Sequence, residues 1–209
     1  MPLGWRLYLP EEWCDDPERR RKAKIPESVC FQTKPRLAAE ICKQAADWKI
    51  PHAPVLGDVA YGDDAGFRSG LADAGLEYVL SIKPEATVFG PGTGFAVPER
   101  TGARGPQPRS VRADRKAESV RALAGELPAE AWQTLPCRTT PAGAEIASRF
   151  AFARVLAAHP VQRDRQPPRW EWLIIEWPDS EQSPTDYWLS NLPETESPNG
   201  SPASPGCAG

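Results

Sequence analysis

An aspartate stands at the point where a short apolar strand ends and a turn begins. Val55, Leu56 and Gly57 precede Asp58, and the chain continues through residues 59–63 (VAYGD). A buried strand is a costly place for an unpaired acid, so a carboxylate at its C-terminal end usually faces a crevice that holds a metal, a phosphate or a hydrogen-bond donor. Asp58 is therefore the first candidate for chemistry in this chain.

The residues alone leave three interpretations of Asp58 open. In the first, it is one carboxylate of a two-metal site, which needs at least two more acids around Mg²⁺ or Mn²⁺. In the second, Asp58 and Lys83 resemble the phosphoacceptor arrangement of a response-regulator receiver. That arrangement also needs an acidic pair at an earlier strand end, whereas Asp15 and Asp16 follow a polar loop. In the third, Asp58 only caps the following turn or helix.

A short basic run is the second candidate for function. It comprises Arg19, Arg20, Arg21 and Lys22, with Lys24 two residues further on. The whole chain has a formal net charge of −3, so a nucleic-acid partner requires positive charge that is local, as it is here. The alternative, which composition alone favours, is a solvated surface loop.

Strands and helices alternate in the first part of the chain. Residues 5–9 have the pattern of a strand, and residues 10–33 that of a polar loop with a helical turn. Residues 35–48 predict an amphipathic helix that begins behind Thr33 and Pro35, which are suitable start signals.

A second helix and a second strand follow Asp58. Phe67, Leu71 and Ala74 form the apolar stripe of the helix. Asp63 or Asp64 can cap its start, and Gly75 can close its end. Residues 78–82 (YVLSI) are strongly β-prone and end at Lys83. The alternating order predicts a parallel α/β sheet in which Asp58 and Lys83 lie at the same edge.

The character of the chain changes after Lys83. Residues 84–110 are rich in loops, and short helices are predicted for residues 119–125 and 128–134. Three strands are predicted thereafter, over residues 146–156, 169–177 and 186–192. Residues 193–209 are of low complexity and are expected to be disordered.

Composition limits the class of protein. A chain of 209 residues fits one domain with a flexible end. No stretch approaches the roughly 20 apolar residues that span a bilayer, so a cytoplasmic protein without a membrane partner is expected. The 5 cysteines include no Cys-x-x-Cys pair and only 2 histidines accompany them, which argues against a structural zinc site.

Several spaced motifs resemble, in order, the DDE transposases of bacterial insertion sequences. The matching segments are residues 5–13 (WRLYLPEEW), 19–23 (RRRKA), 33–35 (TKP), 57–62 (GDVAYG), 78–80 (YVL) and 187–193 (YWLSNLP). The resemblance implies a ribonuclease-H-like α/β core over residues 1–83, interrupted by a loop-rich and then β-rich insertion over residues 84–192. It also implies DNA transposition by metal-dependent phosphodiester cleavage and strand transfer, with Mg²⁺ or Mn²⁺ as cofactor and transposon ends as partner.

On this resemblance Asp58 takes the place of the second of three catalytic acids and is a metal ligand. The first Asp and the final Glu of the family have no match here, and Glu171 and Glu176 lie on a predicted strand and do not substitute. We therefore expect a chain that is truncated at both ends and inactive alone. The basic residues of the run and Lys83 are the candidates for contact with DNA phosphates. The alternative is a non-catalytic module that binds DNA or a full-length transposase.

Overall fold

A mixed β-sheet with helices against it forms the centre of this computed structural model. The structure describes residues 4–97, 111–139, 143, 145–158 and 169–194. The helices are Glu11–Cys14 (α1), Pro17–Lys22 (α2), Lys34–Asp47 (α3), Val59–Gly62 (α4), Ala65–Asp73 (α5) and Val120–Glu126 (α6), with a 3₁₀ turn at Ala129–Ala131. The predicted α/β class is confirmed in this coarse form.

Ten strands are described. They are Val55–Gly57 (β1), Tyr78–Ser81 (β2), Thr87–Phe89 (β3), Phe95–Ala96 (β4), Arg112–Ala113 (β5), Glu118–Ser119 (β6), Trp132–Thr139 (β7), Glu145–Ala157 (β8), Glu171–Trp177 (β9) and Asp186–Ser190 (β10). The main sheet has the order β1-β2-β10-β9-β8-β3-β6, with β7 on the same edge of β8 as β3. The strands β4 and β5 form a separate pair.

The first two strands are parallel, as the alternating sequence predicted. Gly57 lies opposite Leu80, so the two strands end side by side and Asp58 and Lys83 follow at the same edge. The remaining pairings of the main sheet are antiparallel. Strand β10 lies directly beside β2, with Leu189 opposite Leu80, so the β-rich segment continues the sheet that β1 and β2 begin.

Helices cover one face of this sheet at two places. Over β1 and β2, the α5 residues Phe67 and Leu71 pack with Leu80, and α3 adds partly buried side chains. Further along, Val120 and Leu123 of α6 pack into a cluster with residues of β8, β9 and β10. None of the helices among the described residues is both long and apolar enough to cross a membrane.

Most of the predicted elements form close to their expected limits. Helix α3 begins behind Thr33, whose hydroxyl accepts a hydrogen bond from the Arg36 amide, and Pro35 lies in its first turn. Asp64 caps α5 and Gly75 follows its end with φ of 72°. The strands predicted over residues 146–156, 169–177 and 186–192 correspond to β8, β9 and β10.

Two local predictions are wrong. Residues 5–9 form no strand, because they lie along α3, where the Arg6 guanidinium donates to Gln44 Oε1 at 2.9 Å, and not beside another strand. Residues 128–134 do not form the predicted helix beyond the 3₁₀ turn, because the chain enters β7 at Trp132 and pairs with Ala151 of β8. The loop prediction at residues 98–110 and the tail at residues 195–209 lie outside the described residues.

Candidate active site

Asp58 is the N-cap of α4, with an extended backbone (φ −80°, ψ −178°). Its Oδ1 atom accepts a hydrogen bond from the Ala60 amide at 2.9 Å. Asp58 therefore caps a helix, as the third interpretation predicted. The second carboxylate oxygen has no protein partner among the described residues, and the side chain is exposed. Capping and binding of a cation are compatible, because they use different oxygens of the same group.

Glycines bring the Asp58 segment against β2. A Cβ atom on Gly57 would lie 2.7 Å from Leu80 Cδ2, and one on Gly62 would lie 1.8 Å from the Ser81 carbonyl oxygen. The first contact meets a side chain, whereas the second meets backbone that cannot move aside. The single turn of α4 is thus seated directly on the end of β2, with Asp58 at its start.

The other acid of this edge, Asp63, is occupied by Lys83. Asp63 Oδ1 accepts from the Lys83 amide at 3.0 Å, and Lys83 Nζ lies 3.2 Å from Asp63 Oδ2. Lys83 remains 64% exposed at its side chain. The structure therefore pairs Lys83 with Asp63, and the contact of Lys83 with Asp58 that a receiver-like site would use is not formed.

A buried polar cluster lies under α4 and α5. Arg68 is 6% exposed, and its Nε atom lies 3.3 Å from Glu171 Oε1 on β9. Tyr78 of β2 donates its hydroxyl to the same Glu171 oxygen at 2.6 Å. Arg68 Nη1 also donates to the carbonyl oxygen of Gly62, the last residue of α4. Burial raises the pKa of the Tyr78 hydroxyl, and the negative charge of Glu171 and the hydrogen bond to it raise this pKa further.

This cluster was not among the site residues predicted from the sequence. A signal was present in β9, because Glu171 shares the sheet face of Leu173 and Ile175 by strict alternation, and those residues are fully buried. A carboxylate on that face requires a cationic or hydrogen-bonding partner. Its partner Arg68 lies on a helix distant in sequence, and only the pairing of β10 with β2 shows that the two meet.

A second bridge joins β2 to the segment after β10. Asn191 Oδ1 accepts from the Tyr78 amide at 2.7 Å, and Asn191 Nδ2 donates to the Leu76 carbonyl at 3.0 Å. Asn191 belongs to the motif at residues 187–193. Its side chain therefore joins the chain after β10 to the start of β2.

The basic run lies on α2, a six-residue helix capped by Asp16. The Arg19 guanidinium stacks on the Trp13 ring at 4.0 Å from its centroid. Arg20 Nη2 donates to backbone carbonyls, with the contact to Val29 at 2.8 Å. Both side chains therefore make contacts within the protein. Arg19 is nevertheless exposed, as are Arg21 and Lys22, and Arg20 is partly buried.

The donor set at Asp58 fits a divalent cation only as a single ligand. An exposed carboxylate oxygen is suitable for Mg²⁺ or Mn²⁺. Within the part of the chain that the structure describes, no three His, Cys, Asp or Glu residues are grouped so that they could hold a metal ion. Glu171, the most buried nearby acid on β9, is neutralised by Arg68. A site for two cations is thus not built from these residues.

Comparison with known proteins gives one family. The model for the DDE superfamily endonucleases matches residues 1–143, which include Asp58, Lys83 and the basic run. No curated protein and no solved structure matched the chain. The matched segment covers more than half of the 209 residues. The chain therefore belongs to the DDE superfamily endonucleases, as the spaced motifs predicted, and is of the DDE transposase and endonuclease type.

Proposed function

We propose that this chain forms part of the catalytic core of a DDE transposase and that Asp58 contributes one metal-binding carboxylate to it. Endonucleases of this superfamily act on DNA and generally use divalent metal ions. The observation that carries the proposal is the position of Asp58, exposed at the C-terminal end of a parallel strand pair with one oxygen available. Ions at such a site polarise phosphodiester oxygens when bound.

In this proposal Mg²⁺ or Mn²⁺ is the cation, and the chain alone does not cleave DNA. One carboxylate does not hold two cations, and the described residues include no group of three His, Cys, Asp or Glu side chains that could hold a metal ion. The first Asp and the final Glu of the family, which have no match in this chain, are supplied by other segments of a DDE transposase. The role of this chain is to fix Asp58 at the sheet edge and to contribute to binding of the DNA backbone.

The organisation that we propose has a ribonuclease-H-like part over residues 1–83, an insertion over residues 84–192 and a tail over residues 193–209. The parallel pair β1 and β2 with α3 and α5 packed on one face supports the first part. In this arrangement the insertion is not a detached module, because its last strand, β10, is hydrogen-bonded to β2.

DNA contacts are assigned in this proposal to the basic residues that remain accessible. Arg19, Arg21 and Lys22 on α2 are exposed. Arg19 also stacks on Trp13, and the partly buried Arg20 donates to backbone carbonyls. Lys83 retains an exposed ammonium group beside Asp63 and lies at the same edge as Asp58. Phosphate contacts from such side chains set the position of the DNA but do not read its sequence.

A further segment of a DDE transposase, from the same or another chain, is proposed to cover the outer edge of β1. This strand ends the order of the main sheet among the described residues, and its Leu56 is 77% exposed. An open strand edge is a site for pairing with another strand, and the exposed Leu56 side chain leaves apolar surface on the adjoining sheet face uncovered.

We expect Mn²⁺ to strengthen DNA binding by this chain through Asp58. Fluorescence anisotropy with a labelled duplex should show an affinity in Mn²⁺ about fivefold higher than in EDTA, equivalent to about 1 kcal/mol for one shared cation. The variant Asp58→Asn should lose this increment and keep the metal-independent binding. Asp47→Asn, which removes an exposed carboxylate at the end of α3, serves as the control. An Mn²⁺ increment of equal size in Asp58→Asn would contradict the assignment.

A further inference from the structure

We infer that Arg68 and Glu171 are positioning residues for Asp58, so that strand β9 sets the place of the proposed metal ligand. This inference rests on the proposed function for the role of Asp58 in binding a cation. The contacts that link these residues do not depend on that function. They run from Glu171 through Arg68 to the backbone of α4.

The helix that carries Asp58 depends on outside support. Helix α4 has four residues, and a single helical turn is unfavourable on its own, because it fixes several backbone angles for very few hydrogen bonds. Its support comes from contacts at both ends. Asp58 caps the Ala60 amide, and Gly62 at the other end packs against the Ser81 carbonyl.

Arg68 completes the end of α4 that the cap does not reach. The Asp58 carbonyl accepts from the Gly62 amide at 2.9 Å, and the Gly62 carbonyl accepts from Arg68 Nη1. Carbonyl groups at the end of a helix lack partners within the helix, so a buried guanidinium there satisfies one of them. Two hydrogen bonds therefore connect the Asp58 backbone to Arg68.

Glu171 fixes the orientation of Arg68. Its Oε1 atom receives both Arg68 Nε, at 3.3 Å, and the Tyr78 hydroxyl, at 2.6 Å. Both charged side chains are 8% exposed, so neither can turn to water as an alternative partner. With Nε directed at Glu171, the rigid guanidinium presents Nη1 to the Gly62 carbonyl.

A neighbouring ion pair provides a matched control. Arg169 Nη2 lies 2.8 Å from Asp73 Oδ1 and joins the start of β9 to the end of α5, as Glu171 and Arg68 join the same two elements. It differs in that its side chains are 55% and 60% exposed and in that, among the described residues, neither side chain is hydrogen-bonded to α4. Loss of this pair tests whether any weakened link between β9 and α5 affects Asp58.

The test uses Glu171→Gln, which removes the charge and keeps an oxygen acceptor, with Asp73→Asn as control. Native-state hydrogen exchange of the amides of residues 60–63 should accelerate about tenfold in Glu171→Gln, with β9 and β10 amides changed much less. The Ala60 amide resonance, which reports the bond to Asp58, should shift. The Mn²⁺ increment in DNA affinity should fall at least about threefold. Asp73→Asn should match the parent in all three measurements.

If Glu171→Gln folds, and both the hydrogen-exchange rates of the amides of residues 60–63 and the Ala60 amide resonance are unchanged, the inference is overturned. If that variant does not fold, Tyr78→Phe decides, because it removes only the hydroxyl that holds Glu171 and should give the same changes at smaller size. If the parent chain shows no Mn²⁺ increment, the proposed function fails, while the exchange and resonance measurements still decide whether Arg68 and Glu171 position Asp58.

Discussion

Replacement of Arg68 by alanine is expected to lower the free energy of unfolding by about 3–5 kcal/mol, because it leaves a buried carboxylate without its counterion. Glu171 is 8% exposed at its side chain and would keep only the Tyr78 hydroxyl as a partner. The Gly62 carbonyl would lose its donor as well. Denaturant unfolding followed by tryptophan fluorescence measures the change.

Two further variants separate this effect from general loss of packing. Arg169→Ala removes the exposed pair with Asp73 and should cost no more than about 1 kcal/mol. The double variant Arg68→Met with Glu171→Gln removes both charges and should be more stable than Arg68→Ala, because no uncompensated charge remains. A loss below about 1 kcal/mol in Arg68→Ala would show that the buried pair does not stabilise the fold.

Gly62→Ala is expected to lower the free energy of unfolding by about 3 kcal/mol, at the upper end of the range for overpacking. The added Cβ would lie 1.8 Å from the Ser81 carbonyl oxygen and 3.2 Å from the Leu80 carbonyl carbon, so α4 would have to move off β2. Because Asp58 begins α4, the same variant should also abolish the Mn²⁺ increment in DNA affinity.

Gly70→Ala is the control for this substitution. Gly70 lies inside α5, and a Cβ there would meet only the Ala39 Cβ at 3.7 Å, an ordinary contact. An alanine in a helix interior should therefore raise stability by about 0.5–1 kcal/mol. Equal effects of the two substitutions, measured by the same denaturant unfolding, would mean that α4 is not held against β2 as described.

Local signals in the sequence were sufficient for the elements around Asp58. Thr33 and Pro35 mark the start of α3, and the short links between β1, α5 and β2 are typical of a parallel pair. The same links place Asp58 and Lys83 at one edge. These features depend on contacts between residues that are near in sequence, so propensity and periodicity were enough to predict them.

Contacts between distant segments could not be predicted in this way. The pairing of Leu189 with Leu80 joins residues far apart in sequence, and it brings Glu171 to Tyr78 and Arg68. Residues 5–9 show the opposite case. Their pattern is β-prone, but they lie along α3 and pair with no strand. Strand propensity indicates that a segment suits a sheet, but the partner is decided by the tertiary fold.

Cleavage of the protein by bound Fe²⁺ and ascorbate, in the presence of DNA, shows directly whether Asp58 binds the divalent cation. Hydroxyl radicals formed at the bound ion cut the polypeptide nearby. We predict cuts at residues 57–63 and at the adjoining end of β2, residues 81–83, all of them absent in Asp58→Asn and retained in Asp47→Asn. Cuts at another place, or an unchanged pattern in Asp58→Asn, would contradict the assignment of Asp58 as the metal-binding carboxylate.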